Sequence, residues 1–179
     1  MGLLLSPRAN FPLAWQFQRT GAPLGEIFQF ASGLYFRGKL AYAERFGLPL
    51  VITTNTGLLP ADTVVTLDTL RAAARVNIKA ANPRYRRPLL ASARTVAEHL
   101  GPDGAVTLLG SIASDKYVDA LLSVFGERLT FPAEFVGRGD MSRGGLLLRC
   151  VRAGQELTYV SVAGAVRHGP RPPRLTPVR

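Results

Sequence analysis

The chain has 179 residues, enough for one domain that buries its own core without disulfide or metal staples. Hydrophobic residues make up 47% and charged residues 19%, a balance that excludes a disordered chain. The formal net charge is +10 and the sequence pI about 10.8, so the field of the protein attracts phosphate-rich or otherwise anionic partners.

The only lysines are Lys39, Lys79 and Lys116, which leaves nearly all of the positive charge on arginine forks suited to phosphate. Cys150 is the only cysteine, which excludes an internal disulfide and a cysteine-based metal cluster. His99 and His168 lack ligand spacing, so no metal is expected, and His99 near a helix end suits the dipole there. No motif names a cofactor. The apolar run at the start is short and interrupted by Arg8, which predicts no membrane span and a cytoplasmic protein.

In chain order, Leu3 to Leu5 read as a buried first strand followed by the turn "SPRANFP". A helix is expected from Ser32, its N-cap, to Gly47, with Phe36, Leu40, Ala43 and Phe46 on one face. "LPLVITTN" is the second strand, continuously apolar as in a sheet covered on both faces. Residues 67–75 form a short helix capped by Thr66. "NPRYRRP" is a breaker and a basic cluster, after which a helix starts at Pro88 and stops at "GPDG".

"AVTLLG" is the third strand. "GSIAS" then turns into a helix carrying Val118, Leu121, Leu122 and Phe125, and "RLTF" is the fourth strand. "LLLRCV" and "ELTYVSV" flank "RAGQ", which signals a hairpin. The alternation of strands and helices predicts an α/β fold: a mainly parallel sheet with helices on both faces and a C-terminal β-hairpin. Residues 1–165 form the single domain, and residues 166–179 a basic tail rich in Pro and Arg.

In such a fold ligands gather outside the carboxyl ends of the strands. Those ends carry Ser6 and Arg8, then Thr53, Thr54 and Asn55, then Gly110 and Ser111, and last Glu134, Gly137, Arg138 and Asp140. Ser111 or Ser114 caps the following helix, whose free N–H groups favour an anion, although the Lys and second Gly of a P-loop are absent. "FVGRGDMSRGG" combines a flexible backbone with Arg138 and Arg143 as phosphate forks and Asp140 to orient one of them. Glu134 and Asp140 are the candidate acid–base residues. Arg84, Arg86 and Arg87 around Tyr85 suit a nucleic-acid backbone with a base stacked on the ring.

The stretch "SGLYFRGKLAYAERFGLPLVITTNTGLLPADTVVTLDTL" resembles the YaaA-like group of small α/β proteins over residues 34–70, with looser agreement at "LLGSIASDKYVDALL" and the Gly-rich loop. That resemblance implies an α/β fold and a role near DNA, stress response or modified nucleobases. The group has Lys where this chain has Asn55, and Cys or Ser with Lys where it has Ser6 and Arg8.

Three functions follow. The first is a nucleic-acid-associated protein. The second is an enzyme or binder acting on a nucleotide, nucleoside or nucleobase, with a phosphate-bearing small molecule as partner. The third is a structural or regulatory homodimer joined through the C-terminal hairpin.

Overall fold

The computed structural model describes residues 2–6 and 8–175. Pro7 of the expected first turn and residues 176–179 of the expected tail lie outside the described residues.

The chain begins with α1 (Gly2–Leu5) and α2 (Pro12–Thr20), followed by β1 (Ala22–Pro23) and the long α3 (Leu24–Phe46). Next come β2 (Leu50–Ile52), β3 (Leu58–Pro60), β4 (Val64–Val65), α4 (Leu67–Ala74) and α5 (Pro83–His99). The last part holds β5 (Val106–Thr107), α6 (Val118–Phe125), β6 (Leu129–Pro132), α7 (Asp140–Ala153) and β7 (Tyr159–Ser161).

This is not the expected mainly parallel α/β sheet. About 51% of the chain is helical, and the strands are short. β1 pairs with β4 and β2 with β3, both antiparallel. In the only three-stranded sheet among the described residues, β5 runs parallel to β6 and β7 antiparallel to it. Short apolar runs fit a buried strand or a buried helix turn equally well, and packing decides between them.

Three corrections follow from that ambiguity. Leu3 to Leu5 belong to α1 rather than to a strand. "LLLRCV" belongs to α7, so the expected C-terminal hairpin is replaced by a helix, and the surface through which a homodimer was to form goes with it. β2 is one arm of a two-stranded ribbon, with Leu50 38% exposed, rather than a strand covered on both faces.

Several local readings hold. Thr66 caps α4 in a capping box with Thr69, each backbone N–H bonded to the other's hydroxyl. α6 carries the four expected apolar residues but starts at Val118, later than a Ser114 cap would place it. Gly47 closes α3, but the helix starts upstream of Ser32 and bends at Gly33, whose φ of 62° is open to glycine. α5 likewise starts earlier than expected. Asn82 caps it, Pro83 takes the first position and Pro88 lies inside.

Apolar residues gather in two clusters. One holds Leu4, Phe17, Ile27, Val51 and Leu70, and the other holds Tyr42, Tyr85, Leu89, Phe131, Phe135 and Leu147. α3 joins them, with Ile27 in the first and Tyr42 in the second. Residues 166–175 carry no helix or strand, and Arg167 Nη1 donates to the Ile112 carbonyl at 3.4 Å. No helix among the described residues is long and apolar enough to cross a membrane.

Candidate functional site

α3 and α7 cross where both present glycine. A Cβ at Gly38 would stand 2.6 Å from the Gly144 carbonyl oxygen, and one at Gly144 would stand 2.8 Å from Tyr35 Cα. Only hydrogen in place of a side chain permits that approach, which outweighs the roughly 1 kcal/mol helix penalty of a glycine. The glycines of "GRGDMSRGG" thus serve helix packing as well as the turn before α7.

The crossing sets the first turn of α7 beside one stripe of α3. Tyr35, Lys39, Tyr42 and Phe46 recur at four-, three- and four-residue spacing and line an open cleft of about 1070 Å³. The opposite walls come from β2, β5, the segment before α6, and Asp140. Residues of both apolar clusters line it, among them Phe36 and Leu40 from one and Tyr85 and Leu108 from the other, so the cleft follows the seam between them.

Lys39 is the most unusual group in this cleft. Its Nζ sits 4.2 Å from the Tyr35 ring centroid and 5.2 Å from that of Phe36, and it makes neither a hydrogen bond nor an ion pair among the described residues. Burial pushes its ammonium below the ordinary lysine value of 10.5; Asp140 opposes the shift and Arg143 adds to it. Tyr35 donates to the Leu109 carbonyl at 2.9 Å, and its phenol is pushed up to about 12, chiefly by burial. Tyr42 and Tyr159 share a hydrogen bond of 2.6 Å, with Leu157 N–H donating to Tyr42 at 2.8 Å.

Tyr85 also lines this cleft. The residue is 1% exposed and its oxygen is buried with no hydrogen-bond partner among the described residues. An unpartnered buried hydroxyl costs about 1–3 kcal/mol.

The residues singled out in the sequence divide into those that share the cleft and those that do not. Thr54, Gly110, Ser111, Ser114 and Asp140 line it. Thr54 also donates to the Ala73 carbonyl at 2.5 Å. Ser6 and Arg8 lie away from it, beside α1 and α2, bonded to each other through Arg8 N–H and Ser6 Oγ. Asn55 tips the β2–β3 turn and does not line the cleft. Glu134 accepts from Thr158 N–H at 3.3 Å outside the cleft.

The serines of the "GSIAS" turn do not cap α6. α6 begins at Val118 after Tyr117, with no side-chain cap, so neither Ser111 nor Ser114 caps it. A Cβ at Gly110 would lie 2.9 Å from the Tyr117 hydroxyl, which itself donates to the Ser111 carbonyl at 2.9 Å. Gly110 makes room for Tyr117.

Arg143 is no exposed loop fork. It is 8% exposed on α7, donates to the Phe135 carbonyl at 3.0 Å and reaches Asp140 at 3.8 Å. Arg138 Nη1 donates to Ser142 at 3.2 Å. Both arginines keep a buried Nε without a partner among the described residues. Tyr85 is packed in the core, so its ring is not presented for base stacking. Arg84 and Arg87 are exposed and Arg86 is half-buried on the first turns of α5.

Sequence reasoning missed Lys39, Tyr35 and Tyr42. Their helical spacing is legible, but it reads as a core face until the cleft is seen beside it. Among the described residues no cluster of His, Cys, Asp or Glu has the grouping of a metal site. The chain matches no protein-family model, no curated protein and no solved structure.

Proposed function

We propose that the protein binds a phosphate-bearing small molecule of the nucleotide or nucleoside phosphate class in the cleft between α3 and β5. The observation that carries the reading is Lys39, a half-buried cation with no hydrogen bond or ion pair among the described residues, on the wall of a cleft large enough for such a ligand. A desolvated ammonium is costly unless an anion compensates it. The aromatic stripe of α3 offers flat apolar surface to a base. Cys150, a free thiol, fits a reducing, cytoplasmic setting.

Calorimetric titration with inorganic phosphate, nucleosides and nucleoside phosphates tests this. Binding should follow the phosphate, and Lys39→Ala should weaken it about 10–100-fold, the worth of a charge-assisted hydrogen bond of roughly 1.5–3 kcal/mol. Absence of binding to every member of the series at millimolar concentration removes the proposal.

A second reading has its own observation. Arg84, Arg87 and Arg94 are exposed on α5 at three- and seven-residue spacing, which forms a basic stripe on one helix face. Together with the net charge of +10, and with the likeness of residues 34–70 to the YaaA-like group, it supports association with a nucleic-acid backbone.

A further inference from the structure

The N-terminal helices expose an aromatic face away from the cleft. Trp15 is 54% exposed on α2 and Phe30 is 42% exposed on α3, so two large rings stand in water. The Phe30 ring is stacked on that of Phe11, with centroids 5.0 Å apart and 17° between the planes. Phe11 is the N-cap residue of α2, one turn before Trp15, whose N–H donates to its carbonyl. Ala14 and Phe17 turn the other side of α2 into the core, which leaves Trp15 and, four residues on, Arg19 facing outward. Within residues 1–25 the only charged side chains are those of Arg8 and Arg19. Both are exposed, and neither is in an ion pair among the described residues. None of these residues lines the cleft.

We infer that this face binds single-stranded nucleic acid, with bases stacked on the exposed rings of Trp15 and Phe30 and phosphates paired with Arg8 and Arg19. Flat aromatic surface beside unpaired cations is what a single strand requires, because each unpaired base has a face to stack and each phosphate a charge to neutralise. A duplex offers few such faces, since its bases already stack on one another. A lipid surface requires an outward side that is apolar along its length, whereas the outward side of α2 carries Gln16, Gln18 and Thr20 beside Trp15. Every base has a π-face, so the binding tolerates any sequence. This face is separate from the cleft and from the arginine stripe of α5, and the inference depends on neither.

Trp15 is the only tryptophan of the chain, so its emission reports on this face alone. Titration of the full chain with oligo(dT) at low salt should quench that emission. Trp15→Ala should weaken binding of a labelled oligo(dT) about tenfold, the loss of one stacked base, and Trp15→Phe, which keeps a ring, should restore most of it. Replacing Arg8 and Arg19 with Ala should lower the log–log salt slope by about 0.7 for each phosphate left unneutralised. The inference is overturned if oligo(dT) leaves the emission unchanged, or if Trp15→Ala, folded by circular dichroism, binds like wild type. Emission that shifts to the blue with phosphatidylserine vesicles or with rising protein concentration, without quenching by oligo(dT), also overturns it and gives the face to a lipid surface or to a second copy. Calorimetric binding of nucleoside phosphates in the cleft should be the same in Trp15→Ala as in wild type, so either reading can fail while the other stands.

Discussion

Tyr85 shows how a single side chain can fill the core and still leave a polar atom unsatisfied. Its ring fills the larger apolar cluster, yet its hydroxyl is buried without a partner among the described residues. Tyr85→Phe removes that unsatisfied oxygen, so the protein should gain about 1 kcal/mol in urea denaturation. A loss of stability shows that the oxygen is satisfied in the folded protein.

The cleft tyrosines also make stability depend on pH. Burial raises Tyr35 and Tyr85 from 10.0 to about 12, so the folded state holds its phenol protons where the unfolded chain has released them. Their contribution is complete below pH 10 and is lost as pH climbs to about 12. Lys39 acts in the opposite sense: its lowered value means that stability gained from it rises with pH up to 10.5. The urea midpoint should fall between pH 10 and about 12, and Tyr35→Phe should flatten that fall. An equally steep fall in the variant shows that other groups control it.

At the scale of elements, the α3–α7 crossing positions the site. Gly38→Ala drives a methyl into the Gly144 backbone, which has no flexible end to move aside. The variant should lose about 1–3 kcal/mol by thermal or urea unfolding, as overpacked interiors do. Because Asp140 and Arg143 ride on the displaced helix, ligand affinity should fall with it. An unchanged melting temperature means that the helices part without cost. The β2–β3 turn is held by a similar device. Leu58 N–H donates to Ser92 Oγ at 2.8 Å, and Gly57, with φ of 78°, sits against Pro88 and Ser92 where a Cβ has no room.

The elements legible in the sequence are those whose ends or faces carry local chemistry. α4 has the Thr66–Thr69 capping box, and α6 has four apolar residues on one face. α7 is not legible in the same way, because Gly144 and Gly145 look like a loop, and its helical pattern rests on Leu147 meeting the core and Gly144 meeting α3. No local signal reports a partner helix. The first turn of α5 is hidden for a related reason. Two prolines compete for its first position, and it is Pro83 behind the Asn82 cap, rather than Pro88, that takes it.

For the molecule as a whole, the charge of +10 acts at a distance that no single side chain does. If the α5 stripe meets a nucleic-acid backbone, affinity for a duplex should fall steeply with salt. Replacing Arg84, Arg87 and Arg94 with Ala should reduce the log–log slope by about 0.9 for each phosphate left unneutralised. A slope unchanged in the triple variant, measured by fluorescence polarisation, places the nucleic acid on another face. The cleft makes a separate demand, since it lies between the two apolar clusters and α3 spans both. A ligand held there touches both clusters and should raise the melting temperature with concentration.

The sequence by itself determined what depends on composition and near neighbours: the basic field, the lack of disulfide or cysteine metal chemistry, the Thr66 cap of α4 and the polar turns. Those are set by the residues involved and their neighbours within a turn or so. Tertiary structure alone decided whether "LLLRCV" is a strand or a helix, whether Arg143 is an exposed fork or a buried donor, and that Lys39 stands on a cleft wall with its ammonium over two aromatic rings. Each of these is a relation between segments far apart in the chain. α3 and α7 meet across more than a hundred residues at Gly38 and Gly144, and Lys39 lies one residue from that crossing.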